Sequence, residues 1–157
     1  WIWGERAPVE DKALRAGLYN LSLHNSREDI IRAFLEGIAL NTRWLLQPVK
    51  RFLKREISQI NIIGGGAQSD VWCQIFADVM GVTIRQVEEP VYANARGAAW
   101  IGAAGMKQIT FGDIPGLVKI RREYFPEPGN RAIYDNRYEQ FLAVYAAMKP
   151  VYHKMNA

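Results

Sequence analysis

The sequence predicts an α/β fold, and three observations carry that expectation. An apolar run, Ile60-Asn61-Ile62-Ile63, leads into four small residues, Gly64-Gly65-Gly66-Ala67. A stretch with apolar residues at helical spacing follows, from Ser69 to Met80. A β-branched, alternating segment, Val82 to Val87, closes the unit. The side-chain period switches from that of a strand to that of a helix and back. The simplest structure with this pattern is a right-handed crossover joining two parallel strands.

The elements follow in order. Residues 1–25 read as irregular with short extended pieces, punctuated by Gly4, Pro8, Gly17 and Asn20. Ser26 is a good N-cap, with Glu28 and Asp29 in the first turn behind it. Ile30, Ile31, Phe34, Leu35, Ile38, Leu45 and Leu46 then recur near helical spacing. This helix is expected to end or kink near Pro48, with a second helical piece reaching Leu53. A strand over 59–63 enters the glycine run. Ser69 caps a helix over 69–80, and Gly81 stands where a C-terminal stop belongs. A second strand covers 82–87. Asn94 opens a helix of small residues, Ala95, Gly97, Ala98, Ala99, Gly102, Ala103, Ala104 and Gly105. Residues 106–129, with Pro115, Pro126 and Pro128, read as loop. Asn130 to His153 reads as a final amphipathic helix rich in tyrosine.

The glycine run is the first functional signal. Glycines between a strand end and a helix start let the backbone come close to a ligand. The helix beyond them presents free N–H groups and the positive end of its dipole, which suits phosphate. A nucleotide or another phosphorylated ligand is therefore expected there. A tight strand-to-helix turn with no ligand would produce the same glycines.

Composition narrows the field. A chain of 157 residues can bury one real core. Its 49% hydrophobic and 23% charged residues are ordinary for a globular protein. The formal net charge is only +4, and Lys50, Arg51, Lys54 and Arg55 form the one compact basic cluster. On a helix these read as a solvated face, so no nucleic-acid partner is expected. One cysteine, Cys73, allows no intrachain disulfide and fits a reducing, cytoplasmic setting. Its place in an apolar helical pattern predicts a buried thiol rather than a nucleophile. No apolar run has the length of a membrane span, and no signal peptide is seen. The chain opens at Trp1-Ile2-Trp3 without an initiator Met, which suggests a fragment of a longer protein.

Other chemistries lack their residues. A Walker-type loop needs Lys followed by Ser or Thr, but Gln68-Ser69-Asp70 follow the glycines here. A dinucleotide fingerprint needs a third spaced glycine, where Ser69 stands. Glu88, after the second strand, lies about where a ribose-binding acid would sit, and this keeps a dinucleotide site as an alternative. His24 and His153 have no partnering Cys or His for a metal site. Ser22, Ser26, Ser58 and Ser69 lack the glycine flanks of a nucleophile elbow.

A resemblance adds to this reading. The run Ile62-Ile63-Gly64-Gly65-Gly66-Ala67-Gln68-Ser69-Asp70-Val71-Trp72-Cys73-Gln74-Ile75-Phe76-Ala77-Asp78-Val79-Met80-Gly81 resembles the adenosine motif of the FGGY carbohydrate kinases. Gly4-Glu5-Arg6-Ala7-Pro8 resembles the family's Gly-Glu-Arg-x-Pro segment. Arg32-Ala33-Phe34-Leu35-Glu36-Gly37-Ile38-Ala39 resembles its Arg-Ala-x-x-Glu-Gly helix, and Ala95-Arg96-Gly97-Ala98-Ala99 its later small-residue helix. Within the family the pattern is nearest to the xylulokinase group.

The resemblance implies part of an actin-like, RNase H-like ATPase lobe, with a mixed sheet and packed helices. It implies that residues 1–157 are the C-terminal, second-lobe portion of a longer carbohydrate kinase. That kinase would use ATP and Mg²⁺ to phosphorylate a sugar, with a xylulose-like pentulose favoured. Gly64, Gly65 and Gly66 would contact the nucleotide, with Ala67 in the same turn and Ser69 near the adenosine. Gln68 departs from the basic residue often found at its position. The general base, the first phosphate loop and most of the sugar pocket would lie in the missing N-terminal lobe, so Asp70, Asp78 and Asp113 are not expected to replace the base. Glu5 and Arg6 either line the cleft or form a structural ion pair. The fragment alone is expected to be inactive and to self-associate through its cut surface. The competing class is a non-catalytic module that binds nucleotide or a partner.

Overall fold

The computed structural model describes residues 1–156. It contains two compact units: one is Ile57–Glu127, and the other joins Trp1–Glu56 to the segment that begins at Pro128.

The first unit is built on a three-stranded sheet in the order β1 (Gln59–Ile62), β2 (Thr83–Val87), β3 (Ile120–Tyr124). Strands β1 and β2 are parallel, with Gln59 opposite Thr83 and Ile62 opposite Gln86. Helix α2 (Asp70–Met80) makes the crossover between them. It buries Cys73, Ile75, Ala77, Val79 and Met80 together with Val82, Ile84 and Val87 of the β2 segment. Each large aliphatic side chain so buried contributes roughly 1.5–3 kcal/mol. At the end of α2, Gly81 takes the left-handed conformation at φ 66° and returns its amide to the Ala77 carbonyl at 2.8 Å.

Strand β3 corrects the loop expected over 106–129. It pairs antiparallel to β2, with Ile84 opposite Tyr124 and Arg85 opposite Glu123. Glu123 accepts from Arg85 Nε at 3.0 Å across the pair. Helix α3 (Ala93–Gly105) follows a 3₁₀ turn at Pro90–Tyr92, and none of its residues is fully buried within the chain. Helix α4 is a single turn, Ile114–Leu117.

The second unit is two long helices and the N-terminal segment. Helix α1 (Arg27–Leu53) opens with the expected cap: Ser26 Oγ accepts from the Asp29 amide at 3.1 Å, and Asp29 Oδ2 accepts from the Ser26 amide at 2.8 Å. It runs through Pro48 to Leu53, where the sequence suggested an end or kink. Proline in a helix interior costs about 3 kcal/mol. Packing on the preceding turns offsets that cost, since Leu46 is buried and Trp44 meets the Tyr145 ring at 5.0 Å. Helix α5 (Arg131–Asn156) likewise contains Pro150. Arg43 of α1 is buried against α5, where it donates to the Tyr134 carbonyl at 3.2 Å and pairs with Asp135. Trp1 packs on Phe141 at 4.8 Å and donates to Asn41 Oδ1 at 3.0 Å. It is therefore packed into this unit, while Ile2 and Trp3 are 78% and 88% exposed.

Candidate functional site

The site is the turn that connects β1 to α2. Gly64 carries the chain out of the sheet at φ 89°, ψ −177°, a backbone region that essentially only glycine occupies. Its amide donates to the Pro90 carbonyl at 2.8 Å, which ties the turn to the segment after β2. Gly65–Gln68 then form one 3₁₀ turn, closed by Ala67 N–H to Gly64 O and Ser69 N–H to Gly66 O, each at 3.2 Å. The glycines therefore do not open α2 directly, because a separate turn intervenes.

The glycines differ in their reasons. A Cβ on Gly66 would lie 2.4 Å from Cζ3 of Trp72, so glycine lets the indole cover the turn. A Cβ on Gly65 would meet nothing within 4 Å. Gly65 therefore offers open backbone to whatever lies outside the turn. Ser69 caps α2, with Oγ accepting from the Trp72 amide at 3.2 Å. Ala67 is fully buried and presents no surface to a ligand.

The underside of the turn is held by a residue that the sequence reading missed. Gln86, on the inward phase of β2, has no exposed surface. Its Nε2 donates to the Ala67 carbonyl at 2.6 Å and to Asp70 Oδ1 at 3.2 Å, and its Oε1 accepts from the Tyr124 hydroxyl at 3.2 Å. Cys73 Sγ also donates to the Ala67 carbonyl, at 3.7 Å. The only signal in the sequence was a polar side chain at an apolar phase of a strand. Tyr124 and Gln86 hold the Asp70 carboxyl below its ordinary value, with Arg121 and Arg122 adding to the effect. Burial, with Asp70 nearby, pushes the Cys73 thiol up to about 11. The thiol is protonated at neutral pH and is not a nucleophile.

The remaining candidates have structural duties. Asp78 Oδ1 accepts from Gln74 Nε2 at 2.8 Å and from the Glu127 amide at 2.9 Å. Asp113 Oδ2 accepts from the Thr110 amide and hydroxyl, both at 2.8 Å. Glu5 Oε2 accepts from Asn41 at 2.7 Å and Oε1 from the amides of Arg6 and Ala7, and no Glu5–Arg6 ion pair forms among the described residues. His24 is exposed, and His153 Nε2 meets the buried Asp11 carboxylate at 2.9 Å. Glu88 uses its main chain, accepting from Arg96 at 2.7 Å and donating to Lys119 O at 2.9 Å. The dinucleotide alternative does not fit this geometry, because its glycine loop should enter the helix directly. Among the described residues, no group of three or more His, Cys, Asp or Glu side chains is placed to hold a metal, and no helix is long and apolar enough to cross a membrane.

The model of the C-terminal domain of the FGGY family of carbohydrate kinases matches residues 1–106. The chain is 27% identical to a xylulose kinase of Staphylococcus epidermidis over 95% of its own length and 30% of that protein's. It is 34% identical to an autoinducer-2 kinase of Enterobacter sp. over 77% of its length and 23% of the other's. A ligand-bound xylulose kinase structure from Lactobacillus acidophilus shares its fold, with a TM-score of 0.86 at 23% identity over 98% of this chain and 31% of that one. The chain thus spans about a third or less of the proteins it matches.

Proposed function

The chain belongs to the FGGY family of carbohydrate kinases, and from that premise we propose that it supplies part of the nucleotide-binding lobe of a longer, ATP-dependent sugar kinase. Gly64, Gly65 and Gly66 receive the nucleotide, and Ser69 sets the start of the helix beside the adenosine. The observation that carries this reading is Gly65, whose Cα faces open space in a turn fixed from below by Gln86 and Cys73. A tight turn needs glycine at Gly64 and Gly66 for reasons internal to the chain. It has no such need at Gly65, whereas close approach of a ligand to the backbone does.

The turn's chemical part is positioning. Phosphoryl transfer depends on alignment of the phosphate chain and on charge stabilisation. Mg²⁺ would accompany the ATP, but the described residues offer it no ligand cluster, so no metal ligand is assigned to this chain. The general base, the first phosphate loop and most of the sugar pocket belong to the N-terminal lobe on this reading, and the chain is inactive without it. A xylulose-like pentulose is the favoured substrate, from the xylulose kinase relative, and a reducing cytoplasm is the favoured setting, from the single buried thiol. The test is Gly65→Val in the full-length kinase. The KM for ATP should rise strongly with the sugar KM unchanged, and unaltered ATP kinetics would remove the assignment.

A further inference from the structure

We infer that Gln86 is a positioning residue for the nucleotide turn, acting through the Ala67 carbonyl. The inference rests on the reading of the turn given above. A fully buried carboxamide on an otherwise apolar strand phase is costly unless every polar atom finds a partner. Here both ends do. Nε2 reaches the Ala67 carbonyl at 2.6 Å and Asp70 Oδ1 at 3.2 Å, while the Tyr124 hydroxyl donates to Oε1 at 3.2 Å.

The connectivity is what gives this residue its role. Asp70 is the first residue of α2, Ala67 lies in the turn, Gln86 is on β2 and Tyr124 ends β3. One side chain therefore joins the turn, the start of the crossover helix and the neighbouring strand, whose own partner strand fixes Oε1. The Ala67 carbonyl is drawn inward by two donors, Gln86 Nε2 and Cys73 Sγ. Pinning that peptide sets where the Gly65 and Gly66 backbone stands relative to the sheet. Packing alone would fill the same volume with leucine or methionine. Only a group with both a donor and an acceptor holds the peptide in one orientation.

A positioning role and a purely structural one differ in kinetics. Loss of positioning weakens nucleotide binding, so KM for ATP rises while kcat and the sugar KM stay. Loss of stability lowers the amount of active enzyme, so kcat falls with KM unchanged. In the full-length kinase, Gln86→Met keeps side-chain length and removes the carboxamide. We expect the ATP KM to rise about tenfold, the scale of the one lost hydrogen bond that reaches the turn itself, at the Ala67 carbonyl, and kcat to stay within about twofold. Tyr124→Phe leaves the carboxamide in place, removes the hydroxyl that donates to Oε1 and that also bonds the Asp70 carboxylate, and should raise the ATP KM about two- to threefold. It decides the matter if the methionine variant does not fold. Unchanged ATP KM in Tyr124→Phe, or a fall in kcat alone in either variant, overturns the inference. Gly65→Val run in parallel separates the failures. If it too leaves the ATP KM unchanged, the nucleotide reading falls with the inference. If it raises the KM while Gln86→Met and Tyr124→Phe do not, only the positioning role falls.

Discussion

Alanine at each of the three glycines should separate backbone need from ligand need. Gly64→Ala forces an L side chain into φ 89°, ψ −177° with nothing to clash against, so its cost is conformational, about 1–3 kcal/mol. Gly66→Ala places a methyl 2.4 Å from the Trp72 ring, which must move with α2's first turn; overpacking of this kind costs about 1–3 kcal/mol. Gly65→Ala meets no atom and no positive φ, so it should be neutral or stabilising by roughly 0.4–1 kcal/mol through the unfolded chain. Urea unfolding reads this directly. With a slope of about 1–3 kcal/mol/M, Gly64→Ala and Gly66→Ala should each lower the midpoint by roughly 1 M, and Gly65→Ala should not lower it. In the full-length kinase the order reverses for specificity of effect: Gly65→Ala should raise the ATP KM without loss of stability. A midpoint for Gly65→Ala as low as the other two would refute the assignment of open space at Gly65.

Three further outcomes are expected. The purified chain alone should produce no ADP with xylulose above the no-enzyme background, and calorimetry should give an ATP dissociation constant near millimolar, since several hydrogen bonds to charged phosphates at about 1.5–3 kcal/mol each are missing; micromolar binding would contradict this. The chain should self-associate through apolar surface such as Ile2, Trp3, Tyr92 and Ile101, all more than half exposed; light scattering that shows a clean monomer at high concentration would count against it. Asp11→Asn should destabilise the chain at neutral pH and not in strong acid. Burial alone would push the Asp11 carboxyl up, but His153 and the Ala13 amide bond its charged form and hold it below the ordinary value. A depressed carboxyl contributes stability above its unfolded pKa of about 3.9 and loses it as pH falls through the folded value. The gap between the two proteins' urea midpoints should therefore close as pH falls below about 3; a gap that persists there would exclude the charged Asp11 carboxylate as its source.

The parts of the fold that could be read from the chain are those where one face alone decides. Helix α2 shows its buried side as a run of apolar residues at helical spacing, and β1 and β2 show their inward phase through Ile60, Ile62 and Ile84. Ser26, Ser69 and Gly81 are local devices that need no distant partner, so they were visible too. Strand β3 was hidden for the opposite reason. Its residues Arg121, Arg122 and Glu123 face solvent at a sheet edge, and its strand character comes from pairing with β2, where Arg85 meets Glu123. No window along the sequence contains both residues of that pair. Pro48 does not end α1, which reaches Leu53 as expected, and the packing that steadies the turn before it, Trp44 on Phe141 and Tyr145, comes from about a hundred positions away on α5.

The site divides along the same line. The glycine turn is a local motif and announces itself. What holds it does not, because Gln86 acts through Ala67, nineteen positions earlier, and Tyr124, thirty-eight positions later. A polar residue at an inward strand phase reads as an error in the pattern until its partners are placed. The general form is that a turn's shape is encoded locally and its rigidity at a distance. A search for the determinants of nucleotide affinity in this chain should therefore begin with the buried polar residues of β2 and β3 rather than with further residues of the turn itself.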